Sequence, residues 1–167
     1  MKSCEESRYD RFPRFYPPLI GCVARDMGLC RMLCGLWADT FSALRRSLEG
    51  GLWCLSQDRI LGDALYRDAM DTLEEMRILG ELIMALGGGT LPEGRIGRKC
   101  RFLTPGDLIL ALVKDKMQRI DLYETVMAHT SDRVVRSVIS GLIGAQRSAI
   151  GALQGALKAE VEAENSR

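Results

Sequence analysis

The sequence predicts an all-α protein built as a bundle of four long helices. Three observations lead there. Four segments carry apolar residues stepping at three and four positions, nowhere do residues alternate as in a strand, and each junction holds Pro, Gly or a Ser/Thr/Asp cluster. With 167 residues, 47% of them hydrophobic, the chain is long enough for one domain with a substantial core.

Residues 1–16 read as an irregular N-terminal arm, because Pro13, Pro17 and Pro18 oppose an early helix. Arg8-Tyr9-Asp10-Arg11-Phe12-Pro13-Arg14-Phe15-Tyr16 interleaves aromatic and basic side chains, expected along the bundle or in a subunit contact. Such interleaving can stack nucleic-acid bases. A net charge of +1, from 23 basic and 22 acidic residues, makes no electrostatic case for nucleic acid or an anionic membrane.

The bundle is expected over 17–158. Its first helix should start near Pro17-Pro18, run into the Ala43–Leu48 region and break at Gly50-Gly51. Its stripe is Leu19, Val23, Asp26, Cys30, Leu33 and Trp37, with Asp26 the one charged member. The second helix should occupy 57–87, with Leu61, Leu65, Ala69, Thr72, Met76, Leu79, Ile83 and Leu86 inward and Glu75 at the border. Arg67, Asp68, Asp71, Glu74 and Arg77 fall outside that stripe, and Gly87-Gly88-Gly89 supplies the stop. A connection over 88–104 is long for a simple turn and reads as a crossover. Its basic stretch Arg95–Arg101 is a solvated loop or, alternatively, a docking patch for an acidic partner.

The third helix should begin with Thr104 as N-cap and Pro105 in the first turn. Its stripe is Leu108, Leu112, Lys116, Ile120 (beside Arg119), Tyr123 and Met127. Thr130 or Ser131 should cap the fourth, whose stripe is Val135, Ile139, Leu142, Gln146, Ala149, Leu153 and Ala156. Residues 159–167 read as a frayed tail. The order is up-down-down-up with the long connection in the middle.

Each helix thus carries one polar residue in an apolar seam: Asp26, Thr72, Lys116 and Gln146. One polar group per helix at matching depth is how four-helix bundles build a central site. A seam lysine needs a counter-ion. Asp26 and Glu75 are the expected partners of Lys116, with Thr72 and Gln146 completing the hydrogen bonds. The alternative is a lysine that snorkels outward over apolar surface.

The run Leu79-Gly80-Glu81-Leu82-Ile83-Met84-Ala85-Leu86-Gly87-Gly88 resembles the end of the second helix in bacterial ferritin-like proteins of the rubrerythrin and manganese-catalase-like group. The resemblance extends over 19–157. It implies a ferritin-like bundle whose relatives hold two metals by a carboxylate from each of two helices and a Glu-x-x-His pair from each of the others. Carried onto this chain, the ligand positions fall on Asp26, Thr72 and Glu75, Lys116, and Gln146 and Ala149. Neither imidazole is present, since His129 is the only histidine and lies in a turn segment. An ammonium at Lys116 would also repel two divalent ions. The resemblance therefore implies a former metal layer, with no di-iron or di-manganese cofactor and no catalytic residues.

The expected function is that of a non-catalytic binding, scaffold or structural protein. A homodimer is expected, with the arm, Trp37 and Trp53 as interface candidates, and a protein partner is an option. Three alternatives stay open, one of them a binding module with a small cavity where relatives hold their metals. Cys22, Cys30 and Cys34 share one helix face and offer soft ligands to Cu(I) or Zn, although small buried hydrophobes are the simpler reading. Unconventional metal ligation through Asp26, Glu75 and Asp71 would instead make a metalloenzyme. No secretory h-region follows the charged N-terminus, and no apolar run reaches the ~18 residues of a transmembrane helix. Six cysteines without an export signal fit a reducing cytoplasm.

Overall fold

The computed structural model describes residues 26–56, 58–88, 91 and 104–165. Among the described residues four α-helices follow one another: α1 (Met27–Leu55), α2 (Arg59–Ala85), α3 (Pro105–Ala128) and α4 (Arg133–Asn165). Among the described residues there is no strand. The N-terminal arm, the expected start at Pro17-Pro18, Cys22 and the basic stretch Arg95–Arg101 lie outside the described residues.

The helices form a four-membered bundle. α1 packs chiefly on α2 and α3 chiefly on α4, while α2–α4 and α1–α3 contacts close it. Contacts at both ends set the directions. Trp37 Nε1 donates to the Met76 carbonyl, and Gly51 lies against Gly62, so α1 and α2 are antiparallel. Gly106 meets Leu157 at one end, and Arg136 donates to the Met127 carbonyl at the other, so α3 and α4 are antiparallel too.

Local chemistry explains the ends. Asp58 caps α2 by accepting from Leu61 N at 2.9 Å. Gly87 closes it at φ 96°, a backbone region that suits glycine. Thr104 and Asp107 form a reciprocal capping box on α3, as the sequence suggests for Thr104. Four expectations need correction. Asp132, not Thr130 or Ser131, caps α4, accepting from Val134 N at 2.8 Å and Val135 N at 3.1 Å. α4 continues past Lys158 to Asn165. Gly50-Gly51 do not break α1, which runs through to Leu55. Both are buried where helices approach closely: a Cβ on Gly50 would overlap the Leu108 side chain, and one on Gly51 would lie 3.4 Å from Tyr66 N. Lastly, Asp26 is not in the seam; it is the exposed N-cap of α1.

The interior has two apolar clusters. One gathers Leu33, Leu36, Leu79, Ile83, Val126, Ile139 and their neighbours; the other joins Cys54, Leu61, Leu65, Leu108, Leu112 and Leu153. Between them lies a polar layer.

Candidate functional site

α2 contributes Asp68, Thr72 and Glu75 to the layer. Residues three, four and seven apart share one helix face, so these side chains stack along the same line. α3 contributes Lys116, Arg119 and Tyr123 by the same spacing, α4 contributes Gln146, and α1 contributes Thr40 and Ser47. All of these residues are buried, with Lys116 and Glu75 each only 1% exposed.

Two ion pairs organise the layer. Lys116 Nζ lies 2.7 Å from Asp68 Oδ1, and Arg119 Nη1 lies 3.3 Å from Glu75 Oε2. Ser47 donates to Asp68 Oδ2 at 2.7 Å. Asp68 Oδ1 has no aligned hydrogen bond, so its match to Lys116 is one of charge. Tyr123 donates to Glu75 Oε1 at 2.6 Å, and Gln146 Nε2 donates to Glu75 Oε2 at 2.6 Å. Gln146 Oε1 in turn accepts from Lys116 at 3.5 Å, which ties the two pairs together. Two carboxylates face two cations, so the layer is neutral as a whole. A lone charge at such depth would be strongly unfavourable.

The structure brings Lys116, Gln146, Glu75 and Thr72 into one layer and leaves out two expected members. Asp26 is spent on the α1 N-cap, accepting from Leu29 N at 2.9 Å. The counter-ion of Lys116 is Asp68 instead, a residue that the sequence reading set outside the stripe. Ala149 is buried but lines the α2–α4 groove, without a polar group to offer. Thr72 donates to the Asp68 carbonyl at 2.7 Å, so its hydroxyl is satisfied by its own helix. Outward snorkelling of Lys116 is excluded by its burial. Arg119, Tyr123, Ser47 and Thr40 complete the list that sequence reasoning missed or took as plain core.

Burial, followed by the Glu75 carboxylate, holds the Tyr123 phenol well above the ordinary tyrosine range. The folded state thus keeps this proton more tightly than the unfolded chain does. Its contribution to stability is whole below the unfolded tyrosine value of ~10 and is lost as pH rises beyond it. In an alkaline titration, one of the four tyrosines is expected to ionise only together with loss of helix. Full phenolate absorbance from an intact helical protein would contradict this.

Neither interior carboxylate is open to a metal, because Asp68 and Glu75 each hold a cation in contact. Among the described residues, no three His, Cys, Asp or Glu side chains converge as a metal would require. The layer does not fit a dinuclear centre. For the soft-metal reading, Cys30 and Cys34 are neighbours, and burial followed by Cys30 raises the Cys34 thiol above its usual range. That favours the protonated thiol over the thiolate that binds metal.

No protein-family model matches this chain, and no curated protein matches it either. Among the described residues, fold and site together define a four-helix bundle with a neutral buried ion-pair layer.

Proposed function

We propose that this protein is a ferritin-like bundle in which paired cations occupy the interior layer that relatives use for metal, and that it acts in the cytoplasm as a non-catalytic binding, scaffold or structural protein. The observation that carries this reading is the engagement of Asp68 and Glu75 by Lys116 and Arg119. The antiparallel α1–α2 and α3–α4 pairs, with the long connection between α2 and α3, support the ferritin-like part. Within the layer, Lys116 and Arg119 supply positive charge where two metal ions would. Without an open coordination position or an exposed acid–base pair, the layer stabilises and orients the helices rather than performing chemistry. Self-association as a homodimer belongs to the same reading. No helix among the described residues is long and apolar enough to cross a membrane.

The test is elemental analysis of the full chain purified without chelator, together with thiol titration after unfolding. Iron and manganese well below one per chain, with every thiol titratable, are expected. Stoichiometric iron or manganese would overturn the proposal. Copper or zinc bound with loss of free thiol would move the function to the α1 cysteines.

A further inference from the structure

We infer that the outer face of α2 is the surface through which two copies of this chain pair, antiparallel, about a two-fold axis at Met70. This deepens the self-association in the reading above and rests on that part of it alone.

The helix face turned away from the core carries Arg59, Asp63, Tyr66, Met70, Leu73, Arg77 and Glu81, again at spacings of three and four. Its centre is apolar and open: Tyr66 and Leu73 are each 50% exposed and Met70 is 41% exposed. Three large apolar side chains in sequence on a solvent face are unusual for a face that meets only water. Among the described residues, the packing of the bundle leaves all three open to this degree.

The flanking charges indicate what covers them. A two-fold interface is self-complementary, so whatever stands at one distance before the axis meets what stands at the same distance after it. Counting outward from Met70, Asp63 lies as far before it as Arg77 lies after, and Arg59 as far before it as Glu81 after. Antiparallel pairing about Met70 therefore sets Asp63 against Arg77 of the partner subunit, and Arg59 against Glu81 of the partner subunit. Arg67, three before Met70, and Glu74, four after it, are not equidistant but also carry opposite signs on one flank of the axis. Every rung joins opposite charges, and each occurs twice. A parallel arrangement would set like against like at all of them. The run from Arg59 to Glu81 is ~33 Å of helix at 1.5 Å per residue, enough for several turns of contact.

The exposed pairs present within the helix do not oppose this. Arg59 and Asp63 are 4.0 Å apart, with Arg59 90% exposed. Arg77 bonds Glu74 and Glu81 from a half-exposed position. Such pairs contribute little in solvent and can be shared with a partner that excludes water from the centre. Asp63, Tyr66 and Met70 of this face also form one side of an open groove of about 580 Å³ between α2 and α4, with Ala149, Ala152 and Ala156 as its low opposite wall. Those small side chains keep the rim from obstructing a second helix.

The test is the mass of the full chain in solution by light scattering after gel filtration. A dimer is expected. Met70→Glu sets two carboxylates at the axis and is expected to give a monomer with unchanged helical content. Asp63→Arg and Arg77→Asp each place like charges on two rungs, so each alone is expected to be monomeric. Mixed in equal amounts they restore opposite charges on the 63–77 rungs, and the dimer is expected to return. A monomeric full chain, a dimer that survives Met70→Glu, or a mixture that stays monomeric would overturn the inference. None of these results bears on metal content, so the reading of the interior layer stands or falls separately.

Discussion

Glu75→Leu is expected to destabilise the protein by at least ~3–5 kcal/mol, the range for breaking a buried ion pair from one side. The change strands three partners together. Arg119 keeps a buried charge with no counter-ion, Tyr123 loses the acceptor of its hydroxyl, and the Gln146 amide loses its acceptor as well. Total stability for domains of this kind is only ~5–15 kcal/mol, so this one side chain decides much of it. Urea unfolding followed by circular dichroism measures the loss. Glu75→Gln offers a milder comparison, since it keeps an acceptor for Tyr123 but cannot neutralise Arg119. It should fall between wild type and Glu75→Leu, and a Glu75→Leu variant as stable as wild type would contradict the layer described above.

Lys116→Met is expected to cost a similar ~3–5 kcal/mol, because Asp68 would be left buried without its counter-ion, beside Ser47 alone. The informative comparison is with Asp68→Leu in the same chain. Replacing both members of a buried pair by well-packed apolar residues is commonly neutral or stabilising. The double variant should therefore recover most of what Lys116→Met loses. Losses that simply add in the double variant would mean that the two residues are independent. No loss from Lys116→Met alone would mean that its charge is met by solvent.

The fold was legible because helix periodicity and capping are local. Thr104, Pro105 and Gly87 act where short-range chemistry puts them, and every member of the predicted α2 stripe is buried. Gly50-Gly51 misled for a physical reason. Glycine ends helices by its backbone freedom, but it also lets two helices touch, and only the position of α2 and α3 tells these roles apart. The site was half legible. Lys116, Gln146 and Thr72 stood out as polar residues in apolar seams, with Glu75 at the border of one. Asp68 and Arg119 did not, because a charged residue beside a stripe is solvated in most helices. Their spacing was the available signal: Asp68 lies four before Thr72 and seven before Glu75, and Arg119 lies three after Lys116. A buried lysine demands a carboxylate, but which carboxylate depends on the register between α2 and α3, which no single helix encodes. Asp26 attracted that role by lying on the extrapolated α1 stripe, whereas the helix begins just after it.

Lys116 and Arg119 balance the interior carboxylates in the place of metal ions. The most direct measurement is the thermal midpoint of the full chain with chelator and again with excess Mn(II) or, anaerobically, Fe(II). A ligand held at a hundred times its dissociation constant adds ~2.7 kcal/mol to stability. An ion-pair layer predicts the same midpoint under both conditions, with Lys116→Met lowering it in each. A midpoint that rises with metal and falls with chelator would contradict the account.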